Sequence, residues 1–157
     1  MTIDYAVLKA AIAAETDSAF VALRDSGQTG AMANWYNQAS TTDAWLDYAS
    51  ANVLDEGADY AAFDSVVAGK RDAWKLFLTY APRDMKKNKN RKVVTDVWGS
   101  ATAASVAESV LLNCLEKAKK GELVFGTVSA TTGTVTAAKR NWTGSLTNDD
   151  IINALRA

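Results

Sequence analysis

The chain has no histidine, one cysteine and one proline among its 157 residues. Without imidazole there is no histidine general base and no histidine metal ligand. Ser-His-Asp and Cys-His nucleophile systems are excluded in the same step. A lone cysteine, Cys114, cannot close an intrachain disulfide, which favours a reducing, cytoplasmic place of synthesis. One proline and nine glycines argue against a fibrous or low-complexity chain. No apolar run approaches the roughly 18 residues needed to span a bilayer, so no membrane contact is expected. The opening MTIDYAVLKA lacks a basic segment followed by an apolar core, so no secretory signal is expected. Neither a Walker A loop nor a GxGxxG fingerprint occurs. These absences predict no catalytic residues, no cofactor and no bound metal.

What is present is an ordinary globular composition, 48% hydrophobic and 22% charged. The length suits a single domain over 1–157. Charge, however, is unevenly ordered. Residues 1–69 carry ten acids and two bases, a net −8, and residues 70–140 carry fourteen bases and six acids, a net +8. Such polarity can serve an internal contact, head-to-tail assembly of identical copies, or docking on an acidic partner.

The sharpest contrast lies between Tyr60 and Trp98. Phe63, Val66, Val67, Trp74, Phe77 and Leu78 fall at offsets 0, 3, 4, 11, 14 and 15, one side of a helix spanning about 60–80. Pro82 ends that helix. The next ten residues, 83–92, hold six cations and one acid: Arg83, Lys86, Lys87, Lys89, Arg91 and Lys92 against Asp84. Residues 83–89 read as an exposed loop and 90–98 as helix again.

Elsewhere the pattern is mostly helical. Thr2 is the expected cap of a first helix, and Thr16 or Asp17 of a second. Met32, Trp35 and Tyr36 mark a third helix, and Trp45 and Tyr48 a fourth over 41–53. Ala104, Ala107, Leu111, Cys114, Leu115 and Ala118 share one face of a helix over 101–120. Lys117, Lys119 and Lys120 suit its C-terminal end. After Gly121 the Val/Thr-rich residues 122–137 read as a hairpin or extended arm turning near Thr131–Gly133. Thr147 and Asp150 have capping-box spacing and open a terminal helix over 147–156. The expected class is mainly α: a compact helical bundle over 1–120 with a β-hairpin or arm behind it. Its core is expected from Phe63, Val67, Trp74, Phe77, Leu78, Val94, Leu111 and Leu115.

The basic run can hold phosphates through counterion release. Tyr80 and Trp98 flank it and could stack on bases. The acids Asp55, Glu56, Asp59 and Asp64 lack EF-hand spacing and read as a solvated acidic face. Cys114 reads as a buried, inert thiol, and Asp149–Asp150 as charge at a helix start.

The segments LKAAI (Leu8–Ile12) and LTNDDIINAL (Leu146–Leu155) resemble the two ends of small structural proteins from the virions of tailed bacteriophages. Those often open with Leu-Lys-Ala-x-Ile and close with Val/Leu-Thr-x-x-Asp-Ile/Val-x-x-Ala-Leu. The resemblance implies a non-enzymatic assembly protein of the particle, a head–tail connector or neck component made in the host cytoplasm. Its partners would be copies of itself in a ring and virion proteins such as portal or tail components. The expected contact sets Asp55, Glu56 and Asp59 against Lys86, Lys87 and Arg91 of a neighbour. The alternative is a nucleic-acid-binding accessory protein using 83–92, though a sequence pI near 5.4 leans against it.

Overall fold

The computed structural model describes residues 2–99 and 104–157. Among them the chain runs α1 (Tyr5–Ala14), α2 (Ser18–Asp25), α3 (Thr29–Tyr36), β1 (Ala39–Trp45) and α4 (Ala51–Glu56). A 3-10 turn (Phe63–Ser65) precedes α5 (Ala68–Thr79), α6 (Asn88–Trp98) and α7 (Ala104–Asn113). Then come β2 (Leu115–Lys119), α8 (Lys120–Val124), β3 (Thr127–Thr132), β4 (Val135–Arg140) and α9 (Asn148–Arg156). The strands form one mixed sheet in the order β2-β1-β4-β3, with β1 and β4 parallel and Ala44 opposite Ala138.

The expected mainly helical bundle is therefore wrong. Helix takes 54% and strand 17% of the described residues, and the architecture is mixed α/β. Two expected helices are partly strand. Over 41–53 the Ser-Thr-Thr run enters β1, where β-branched side chains fit the pleat, and helix begins only after Ser50 caps α4. The helix over 101–120 stops at Asn113, and Leu115–Lys119 pair as β2; its expected start at 101–103 lies outside the described residues. Lys117 and Lys119 thus lie in a strand, and Lys120 opens α8. The hairpin exists, but 120–124 are helical and its strands reach Arg140. Its two-residue turn uses Gly133 at φ +59°, a conformation that glycine takes without strain. Thr131 and Thr136 join hydroxyls across it at 2.8 Å.

The long helix expected at 60–80 is also shorter. Asp59 accepts from the Ala61 N–H and Ser65 donates to the Ala62 carbonyl, so local side-chain bonds hold a non-helical lead-in until Val67. Val67, expected in the core, is 65% exposed there.

The chain packs into two compact units, each discontinuous in sequence. One holds Met1–Thr42, Lys117–Val128 and Arg140–Ala157. Its core is Leu8, Ile12, Phe20, Met32, Tyr36, Trp142, Leu146, Ile151 and Ala154. Asp4, rather than Thr2, caps α1, accepting from Ala6 and Val7 at 3.0 and 3.2 Å. Asp17 caps α2, and Thr147 and Asp150 form the capping box of α9. Burial pushes the Asp150 carboxyl upward, but hydrogen bonds from Thr147 and Tyr5 outweigh it and hold the pKa below its usual value.

The other unit holds Asp43–Glu116 and Ser129–Lys139. Trp74 and Trp98 meet edge to face at 5.6 Å in its centre, with Trp45, Leu54, Phe77, Met85, Val94, Val110, Leu111 and Cys114 around them. Phe63, Leu78 and Leu115 are only partly buried. Gly57 passes so near the Val110 backbone that a Cβ would lie 2.6 Å from its Cα, which lets α4 sit against α7.

Candidate functional site

The basic segment 83–92 lies wholly in the second unit and is largely tied down there. Residues 83–89 are not a free loop. Arg83 and Ala49 exchange backbone hydrogen bonds at 2.8 Å, and the Met85 N–H reaches the Leu46 carbonyl at 2.9 Å. Met85 is fully buried. Each cation then has a different fate.

Arg91 faces inward and is 3% exposed. Its Nε donates to Thr132 Oγ1 at 2.8 Å, and one terminal nitrogen donates to the Met85 and Lys86 carbonyls at 2.6 and 2.8 Å. Its guanidinium carbon sits 4.8 Å from the Trp45 ring centroid. Burial lowers the guanidinium pKa, and Asp84 opposes that shift. The planar fork makes Arg91 a structural clamp between the 85–86 backbone and the β3 end. Arg91→Lys keeps the charge and loses the fork. We expect it to lower unfolding free energy by about 1.5–3 kcal/mol, the range for hydrogen bonds to a charged group. A urea midpoint unchanged from wild type would refute the clamp.

Lys86 pairs with Asp47 at 3.1 Å, both mostly shielded. Lys87 pairs with Asp84 at 3.4 Å and Lys92 with Asp96 at 2.8 Å. Arg83 donates through Nε to the Phe77 carbonyl at 2.9 Å and lies 4.5 Å over the Phe77 ring. Lys89 is exposed and has no hydrogen bond or ion pair among the described residues. Of the aromatic flanks, Trp98 is fully buried and cannot stack on a base, whereas Tyr80 is 65% exposed.

The expected acidic site is also in this unit. Asp55 accepts a hydrogen bond from the Tyr60 hydroxyl, which raises the phenol pKa, with burial as a smaller cause. Glu56 and Asp59 are exposed and form no ion pair among the described residues. The charge split along the sequence does not survive folding. The first unit collects seven acids and seven bases, the second eleven acids and ten bases. Lys86–Asp47 and Arg71–Asp64 join the two halves of the sequence inside one unit. The −8 and +8 segments therefore do not give either unit a large net charge.

A groove of about 380 Å³ opens between α5 and α6. Leu76, Phe77, Tyr80 and Val93 supply its apolar wall, and Arg83 and Lys89 its charge; no carboxylate lines it. Sequence reasoning missed Leu76. The signal was there: Ala73, Leu76, Phe77 and Tyr80 stand at offsets 0, 3, 4 and 7, a second apolar stripe beside the one holding Trp74. Leu76 is 57% exposed.

No protein-family model matches the chain, and no curated protein or solved structure matches it. The geometry therefore has to carry the functional argument.

A larger cleft, about 590 Å³, lies in the first unit beside Trp35. Its charged groups are turned to internal partners. Lys120 sits 3.8 Å over the Trp35 ring and donates to Gln38 at 3.0 Å. Glu15 accepts the Thr16 and Asp17 N–H groups at 2.9 Å. The Tyr36 hydroxyl nearby is buried, and burial, then Glu15, raises its pKa. Cys114 is fully buried, and burial pushes its thiol up to about 12, so it is protonated and shielded at neutral pH. Among the described residues no three potential ligands converge on a metal position, and no helix is long and apolar enough to cross a membrane.

Proposed function

We propose that this chain is a non-enzymatic structural subunit of a tailed-phage virion, a head–tail connector or neck component that forms a homo-oligomeric ring. One observation carries it. The two segments that resemble phage structural proteins, Leu8–Ile12 and Leu146–Leu155, build a single core. Leu8 and Ile12 share it with Leu146, Ile151 and Ala154, and Tyr5 hydrogen-bonds Asp150 at 3.1 Å. Motifs from the two ends of a chain that fold onto each other act as one structural element, which supports reading them together. Portal or tail components are the neighbours this role implies, and the virion its final location. Native mass measurement of the purified chain, alone and after incubation with particle extract, tests the role. A defined oligomer, or retention on particles, is expected. A monomer at every concentration that does not co-purify with particles would defeat it.

The alternative, a nucleic-acid-binding accessory protein, keeps exposed Lys87, Lys89, Lys92 and Tyr80 but loses Arg91 to the core. It requires DNA binding by the unassembled chain that weakens steeply with salt.

A further inference from the structure

Lys86, Lys87 and Lys92 of the basic segment are paired with carboxylates of their own unit, which sets Lys89 apart. Lys89 makes no ion pair and no side-chain hydrogen bond among the described residues, and it lines the α5–α6 groove. Leu76 and Tyr80, both more than half exposed, form the groove's outer apolar edge. A groove with an apolar wall, a cationic rim and no carboxylate selects an apolar group bordered by anions.

The same unit displays such a group. Tyr60 is 53% exposed, rests edge-on against Phe63 at 5.4 Å and donates its hydroxyl to Asp55, so its half-exposed ring has a fixed position. Glu56 and Asp59 flank it with carboxylates that have no ion-pair partner, and no cation lies in the 55–64 segment. Tyr60 does not line the groove of its own chain. We propose that the α5–α6 groove receives the Tyr60 knob of a second copy of this chain, with Glu56 and Asp59 meeting Lys89 and Arg83.

The proposal rests on the homo-oligomer reading and supplies its contact. Groove and knob are different patches of one surface, so the contact is heterologous and repeats head to tail, closing into a ring or extending as a filament. Burial of Tyr60, Leu76 and Tyr80 supplies the attraction, since aromatic anchors in desolvated grooves dominate interfaces. The flanking charges set orientation, because exposed ion pairs contribute little on their own. A nucleic-acid strand fits less well. Leu76, Phe77 and Val93 offer it nothing that recognises phosphate, and the groove holds only two cations.

The test uses sedimentation velocity on the full chain with three variants, Leu76→Glu, Lys89→Glu and Glu56→Lys. Lys89→Glu adds an acid to the first turn of α6, and Glu56→Lys adds a base to the last turn of α4. Both changes suit the helix dipole, so folding is retained even if Leu76→Glu misfolds. Each charge variant alone should need several-fold, up to about ten-fold, more protein to assemble than wild type, because reversal replaces a weak attraction with a like-charge contact. An equimolar mixture of Lys89→Glu and Glu56→Lys chains should restore assembly, because alternating chains give every groove a complementary knob in a filament or an even-membered ring. Leu76→Glu should remain unassembled and should not recover in any mixture. If wild type assembles and all three variants match it, the groove is not the contact, while the homo-oligomer reading stands. If wild type stays monomeric throughout, both fall. If Leu76→Glu abolishes binding of a single-stranded DNA oligomer yet leaves oligomer size unchanged, the groove is a nucleic-acid surface and the proposal is overturned.

Discussion

Replacing Arg140 with alanine should destabilise the protein by about 3–5 kcal/mol, the usual cost of stripping one partner from a buried ion pair. Arg140 and Glu122 meet at 3.1 Å with side chains only 3% and 4% exposed. Glu122 does more than hold the arginine. One of its oxygens also accepts the Lys119 N–H at 2.9 Å, and the other accepts the Gly144 N–H at 3.2 Å. Lys119 in turn reaches the Gly144 carbonyl and the Ser145 hydroxyl at 2.9 and 2.6 Å. The carboxylate therefore joins the start of α8, the end of β4 and the segment leading to α9, all within the first unit. Without Arg140 the buried carboxylate keeps two backbone donors but loses its counter-ion, and its desolvation is no longer offset. Glu122→Leu should cost a similar amount for the opposite reason, leaving a guanidinium and two N–H groups short of acceptors. The pair is expected to be strongly non-additive. Arg140→Met with Glu122→Leu should cost clearly less than the two single changes added together, because the uncompensated charge is gone. Urea unfolding of the four proteins measures the coupling. Single variants within about 1 kcal/mol of wild type would mean that the pair behaves as a solvated surface bridge.

How much of this was legible in the sequence depended on whether the deciding interaction was local. The capping box at Thr147 and Asp150, the Asp17 cap and the turn around Gly133 depend on residues a few positions apart, and each formed. Trp74, Phe77, Val94 and Leu111 were placed in the core by helical spacing alone, and all four are buried. The strands were another matter. LEKAK (Leu115–Lys119) consists of good helix formers. It becomes β2 because β1 lies beside it, with the Lys120 N–H bonded to the Gln38 carbonyl and the Leu46 N–H to the Cys114 carbonyl. Such pairings link residues 68 and 82 positions apart, and no short window contains them.

At the candidate site the structure separates cations that the sequence groups together. A count of cations does not distinguish Arg91, which turns inward to two carbonyls and a threonine, from Lys89, which stays in water. Likewise a charge sum taken along the chain treats sequence order as if it were space. Folding interleaves segments 43–116 and 129–139 in one unit, and near-neutral units result. Leu76 shows the reverse case: its exposure on a second stripe of α5 was available to a helical-wheel argument, which stopped at the first stripe.

Trp74→Ala should lower unfolding free energy by about 3–5 kcal/mol, the range for truncating a large buried aromatic. Trp74 is fully buried and touches both neighbours that matter: Phe77 stacks at 5.8 Å within α5, and Trp98 of α6 meets it edge to face at 5.6 Å. Trp98 continues the series to Phe63 at 5.5 Å, and Phe63 to Tyr60 at 5.4 Å. Removing the indole therefore does more than empty its own volume. It takes away the surface on which Trp98 rests and loosens the ring series that ends beneath Tyr60. α5 and α6 pack directly on each other, so the cavity cannot close without one helix shifting toward the other. Trp74→Phe should cost less, since a six-membered ring preserves part of both contacts. Leu76→Ala, two residues away on the exposed stripe, should stay within about 0.5 kcal/mol of wild type, as surface changes usually do. The contrast makes the test specific to the face. Equal losses at 74 and 76 would show that α5 is rotated from the orientation described, and the groove built on its outer stripe would go with it. A loss confined to 74 leaves the outer stripe free for a neighbouring chain.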